Sequence, residues 1–130
     1  MEAHELRIGN YFIEKYTKEY IKVIELTELG ITFSGKFINV WCADPIMLTE
    51  EILLKCGFKK YISDGVVGMD TYEQEEKTIW YQLKGFTTVQ LGENTDYFYS
   101  NNNLHVLLIS LHQLQNLYFA LTGIELIVNL

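Results

Sequence analysis

The sequence predicts an α+β fold, a curled antiparallel sheet with two short helices packed on it, and three observations carry that reading. Short segments rich in β-branched and aromatic residues recur along most of the chain, separated by tight-turn signals. Two segments carry complete helix start and stop signals. Neither helix can bury its apolar stripe alone, so both must lie on the sheet. At 130 residues the chain is long enough to bury roughly two-thirds of the surface of its unfolded form. With no Ser/Gly linker, repeat or low-complexity tract, residues 1–130 read as a single domain.

The elements follow in order. Leu6-Arg7-Ile8-Gly9-Asn10-Tyr11-Phe12-Ile13 reads as a turn feeding a strand. Tyr20 to Leu26 alternates only in part, but its β-branched residues favour a strand. Gly30–Phe33 and Lys36–Trp41 follow as strands, with Ser34-Gly35 as a tight turn between them, so the first 45 residues are expected to form a small SH3-like curl. A short helix spans Thr49 to Cys56: Thr49 caps it, Glu50 and Glu51 suit its dipole, Leu48 and Leu53 form a hydrophobic staple, and Gly57 ends it.

Ile79–Leu83 and Phe86–Leu91 form a hairpin about Lys84-Gly85. Asp96–Ser100 and Leu104–Leu107 form another about Asn101-Asn102-Asn103, since Asn tolerates positive φ. In the second helix Ser110 and Gln113 make a capping box, and Ile109 and Leu114 its staple. Leu111, Leu114, Leu117, Tyr118 and Leu121 line one face, Gly123 terminates it, and Ile124 is placed to fold back on Phe119. Glu125–Val128 reads as a closing strand.

Charge narrows the function. The formal net charge is −7, and residues 61–130 hold eight acidic side chains against only Lys77 and Lys84. Nucleic-acid affinity depends on Lys and Arg meeting phosphates, and Arg7 is the sole arginine, so duplex binding is excluded as an expectation. No apolar run approaches the roughly 18 residues that span a bilayer, and Met1-Glu2-Ala3-His4-Glu5 is not a signal peptide, so a cytoplasmic location is expected. Cys42 and Cys56 then read as buried free thiols.

Catalytic constellations are missing. The sequence has no phosphate loop, GxGxxG, HExxH or CxxC. His4, His105 and His112 stand apart, so no metal site and no cofactor are expected. The carboxylates of Glu73-Gln74-Glu75-Glu76 fall in a polar loop, where they keep ordinary acidity unsuited to acid–base work.

Two features read as binding surfaces. In Tyr97-Phe98-Tyr99, alternation puts both tyrosines on the face opposite Phe98, outward if Phe98 faces the core. The second helix starts without an acid, and His112 with Arg7 could meet an anion there. The candidate ligand-binding residues are therefore Arg7, Tyr97, Tyr99 and His112, with no catalytic residue.

Three blocks also resemble a small protein family of Bacteroides-type gut bacteria, their phages and mobile elements: Glu5–Tyr11, Pro45–Phe58, and Leu104-His105-Val106 leading to His112–Gly123. The family brings no assigned activity or catalytic residues. The resemblance implies only a genomic setting, an accessory gene of phage or mobile-element type. The function expected is that of a non-catalytic binding protein, an anti-defence or accessory factor that occupies a host protein or sequesters a small nucleotide-like signalling molecule. The alternative is a structural or assembly protein acting through homo-oligomerisation.

Overall fold

The structure, a computed structural model, describes residues 6–27, 30–34, 43–63, 78–83, 86–91, 96–101 and 104–130. It is an α+β fold dominated by antiparallel sheet, one part of it strongly curled. Strands β1 (Tyr11–Glu14), β2 (Tyr20–Thr27), β3 (Gly30–Phe33) and β4 (Ala43–Pro45) form the first sheet in the order β3-β2-β1-β4. Its core holds Leu6, Phe12, Ile21, Val23, Phe33 and Ala43, with Phe12 edge-on to Phe33 at 6.1 Å. The register between β2 and β3 shifts between Val23 and Glu25, and this irregularity is why β2 alternates only in part. The expected strand over 36–41, Gly35 of the turn before it, and Cys42 lie outside the described residues. The SH3-like expectation gains no support from the four described strands alone.

Helix α1 (Glu50–Lys55) forms as its signals require: Thr49 Oγ1 accepts from Ile52 N–H at 3.2 Å, and Leu48 and Leu53 are both buried. Gly57 adopts φ +90° after it, and Phe58 N–H donates back to Leu53 O at 3.2 Å.

The second sheet is a meander of β5 (Lys59–Ser63), β6 (Thr78–Leu83), β7 (Phe86–Leu91), β8 (Tyr97–Asn101) and β9 (Leu104–Leu108), paired in chain order. Both expected hairpins are present, closed by Leu83 opposite Phe86 and Asn101 opposite Leu104. β5 was not expected, because Lys59-Lys60-Tyr61-Ile62-Ser63 lacks alternation; as an edge strand with two lysines it has the composition that discourages pairing with other chains. The acidic run Glu73–Glu76 lies outside the described residues.

Helix α2 (Leu111–Thr122) closes the fold. Gln113 Oε1 accepts from the N–H groups of Ser110 (3.3 Å) and Ile109 (2.9 Å), which is the Gln half of the capping box. Gly123 ends the helix at φ +71°. Three expectations are corrected here. Ile109 and Ile124, expected to be covered against Leu114 and Phe119, are largely exposed. The chain after Gly123 also forms no strand: it runs along the core as an unpaired strap, with Leu126 buried and Val128 and Leu130 packed against the same cluster. One backbone hydrogen bond, Asn129 N–H to Lys55 O at 3.0 Å, ties the strap to the end of α1. The segment after β4 zips onto the start of α2 through Leu48 N–H to Ile109 O (3.0 Å) and Leu111 N–H to Ile46 O (2.8 Å). No helix of the described residues is long and apolar enough to cross a membrane.

Candidate binding surface and the positions of the expected site residues

Helix α2 is a shared wall with two different faces. Leu111, Leu114 and Tyr118 bury themselves in the large core against the second sheet. The other face is polar, yet it too is buried, against the first sheet and the turn leading into it. That turn is clamped by Arg7 N–H to Asn10 Oδ1 (2.7 Å) and Asn10 N–H to Arg7 O (3.1 Å), with Gly9 at φ +96°. Gln115 reads it through both ends of its amide: Oε1 accepts from Tyr11 N–H at 2.9 Å, and Nε2 donates to Gly9 O at 2.9 Å. Asn116 Oδ1 accepts from Asn10 Nδ2 (2.9 Å) and from Arg7 Nη1 (3.3 Å).

Two of the expected ligand-binding residues are parts of this seam. Arg7 is half-buried, its guanidinium 3.9 Å above the centre of the Phe119 ring and ion-paired with Glu125. His112 was expected on a surface flank but is buried, with its ring 4.9 Å from Phe12 and Nδ1 3.0 Å from Ser110 Oγ. Both side chains serve internal contacts that hold the first sheet onto α2.

Tyr97 and Tyr99 are likewise corrected. They point inward, 8% and 2% exposed, and Phe98 is the one on the outer face. The register explains it: Tyr81 pairs with Val89, Val89 with Tyr99 and Tyr99 with Val106, a row facing the helices. A buried tyrosine must place its hydroxyl, and here Tyr81 is hydrogen-bonded to Tyr97 and donates to Glu50 Oε1 at 3.4 Å, while Lys60 Nζ lies 2.6 Å from the same oxygen. Burial, then the neighbouring Tyr97 and Glu50, push the Tyr81 phenol above its ordinary value. The four expected residues therefore do not converge on one site.

Opposite that inner row runs another. Tyr61 pairs with Trp80, Trp80 with Gln90, Gln90 with Phe98, and Phe98 with Leu107, crossing all five strands. Side chains directly opposite one another share a face, so this row forms the outer surface of the sheet. Tyr61, Gln90 and Leu107 are exposed, Trp80 and Phe98 partly so, and the Tyr61 and Trp80 rings stack at 5.9 Å. No member of the row carries a charge, in a chain with 27 Asp, Glu, Lys and Arg side chains among 130 residues (ten basic plus seventeen acidic). Alternation alone places Phe98 on the face opposite Tyr97 and Tyr99, whereas the row across five strands follows from the strand register.

A separate cavity of 310 Å³ lies where the strap passes the ends of α1 and β6, bounded by Cys56, Gly57, Leu83, Tyr118 and residues 124–127 and 129. Burial pushes the Cys56 thiol up to about 12, which leaves it protonated and unreactive near neutrality. Among the described residues no group of three or more His, Cys, Asp or Glu side chains is placed to hold a metal ion. Comparison with protein-family models, curated proteins and solved structures finds no significant match to this chain.

Proposed function

We propose that this chain is a non-catalytic binding protein whose contact surface is the outer face of the five-stranded sheet. The observation that carries the reading is the uncharged row Tyr61–Trp80–Gln90–Phe98–Leu107. Interface cores are enriched in aromatic residues and depleted of charge, which is the composition of this row. A phosphate-bearing ligand would need a cation among the aromatics, whereas the row has none and Lys59, two positions from Tyr61 on the same face, stands at the sheet edge; this favours a protein surface, such as a host factor, over a nucleotide-like molecule. The accessory role of phage or mobile-element type comes from the three sequence blocks and travels with this proposal.

Self-association through the same face is the second reading. Five strands of about five residues give a footprint of roughly 25 by 17 Å, or about 400 Å². A standard stable interface takes roughly 800 Å² from each partner, so any protein partner, a second copy included, would have to recruit much of the rim as well.

A photo-crosslinking amino acid placed at Phe98, with a control at the exposed Tyr16 in the turn between β1 and β2, tests the proposal in the native cell. A discrete heterologous adduct formed from position 98 and not from position 16, and lost on Trp80→Ala, supports it. Adducts formed equally from both positions, or from neither, would overturn it. A self-adduct from position 98 with doubled mass in solution would replace it with the oligomer reading.

A further inference from the structure

We infer that the 310 Å³ cavity beneath the C-terminal strap is a binding site for a small uncharged aromatic molecule of two fused rings, of the indole or naphthalene class. This goes beyond the sheet-face reading and is independent of it. Size bounds the ligand: an enclosed apolar cavity of about 150 Å³ accommodates benzene, and this pocket, open to solvent at its rim, has about twice that volume. Chemistry sets the charge. Cys56, Leu83, Tyr118, Ile124, Leu126 and Ile127 give the wall its apolar character beside the neutral Asn129, and among the described residues no Lys, Arg or His lines it. The one charged lining residue, Glu125, is already ion-paired with Arg7, so the mouth offers no net charge to an anion or a cation. A charged ligand would lose hydration there without a partner.

The lining residues also differ in exposure in the manner of a pocket with a rim. Cys56 and Leu126 are buried at its base, whereas Ile124 and Ile127 remain 63% and 74% exposed although they border it. A ligand seated against the base covers those two isoleucines and removes apolar surface from water. The strap is fixed on both sides of Ile127, by Leu126 in the core and by Asn129 N–H on Lys55 O, which holds that wall of the cavity in place.

Titration of the ¹⁵N-labelled protein with indole tests this, with tryptamine and indole-3-acetate as charged counterparts. The expected result is saturable shifts at Cys56, Gly57 and residues 124–129, with a dissociation constant at or below about 1 mM. The charged analogues should bind at least about tenfold more weakly, a difference of about 1.4 kcal/mol. Ile127→Arg, on a largely exposed side chain, should abolish the shifts with an unchanged Tm, while Trp80→Ala should leave them intact. Absence of saturable shifts, equal binding of the charged analogues, or indole binding unaffected by Ile127→Arg would each overturn the inference.

Discussion

The rings of Phe12 and His112 lie 4.9 Å apart, joining the core of the first sheet to the polar face of α2. His112 is thereby a packing residue that also carries a hydrogen-bonding contact, its Nδ1 lying 3.0 Å from Ser110 Oγ. His112→Ala should therefore destabilise the fold by about 3 kcal/mol, from lost packing together with a lost hydrogen bond. Urea unfolding followed by circular dichroism measures this as a lower midpoint. A loss below about 0.5 kcal/mol would return His112 to the surface.

Gln115 is the most specific link in the seam, because one amide satisfies the N–H of Tyr11 and the C=O of Gly9. Gln115→Leu keeps comparable bulk and strands both backbone groups, at a cost of about 2 kcal/mol. Hydrogen exchange locates the effect: the Tyr11 amide should exchange faster, with the amides of β6–β8 much less affected.

The two faces of β8 should differ sharply on truncation. Tyr99 sits between Val89 and Val106 on the inner face, and Tyr99→Ala should cost about 3–5 kcal/mol. Phe98→Ala, on the outer face, should cost about 1 kcal/mol. Differential scanning calorimetry of the two variants checks the ranking.

Alkaline pH probes the large core. The folded chain holds the Cys56 proton more tightly, at about 12 against an ordinary 9.0. Its contribution to stability is therefore complete below about pH 9 and is lost as pH rises toward 12, at about 1.4 kcal/mol per pH unit. Tyr81 shifts in the same direction and adds to the decline at higher pH. Cys56→Ala should flatten the fall in unfolding free energy between about pH 9 and pH 10, read from urea curves at each pH.

Local signals in the sequence were enough for both helices, since Thr49, Gly57, Gln113 and Gly123 each act within a few residues of themselves. The hairpins of the second sheet were legible for the same reason. What escaped depends on distant partners. Gln115 and Asn116 meet Gly9, Tyr11 and Asn10 more than a hundred positions away, so their side of α2 read as a mixed outer flank. Tyr97 and Tyr99 were placed on the correct common face, but alternation fixes parity and not which side is covered. The helices cover theirs, and Glu50 of α1 gives the hydroxyl network beneath the sheet its acceptor. The strap after Gly123 has strand-like composition but pairs with no strand among the described residues, and it packs through alternate side chains, Leu126, Val128 and Leu130, instead.

Hydroxyl-radical footprinting of the free protein tests the central claim most directly, that the sheet turns Trp80 and Phe98 to solvent and Tyr97 and Tyr99 to the helices. Tyr16, 75% exposed, serves as the internal reference for an open tyrosine. The account predicts ready oxidation of Trp80 and Phe98, with Tyr97 and Tyr99 protected at least tenfold relative to Tyr16. Oxidation of Tyr97 and Tyr99 at the rate of Tyr16, with Phe98 protected, would contradict it.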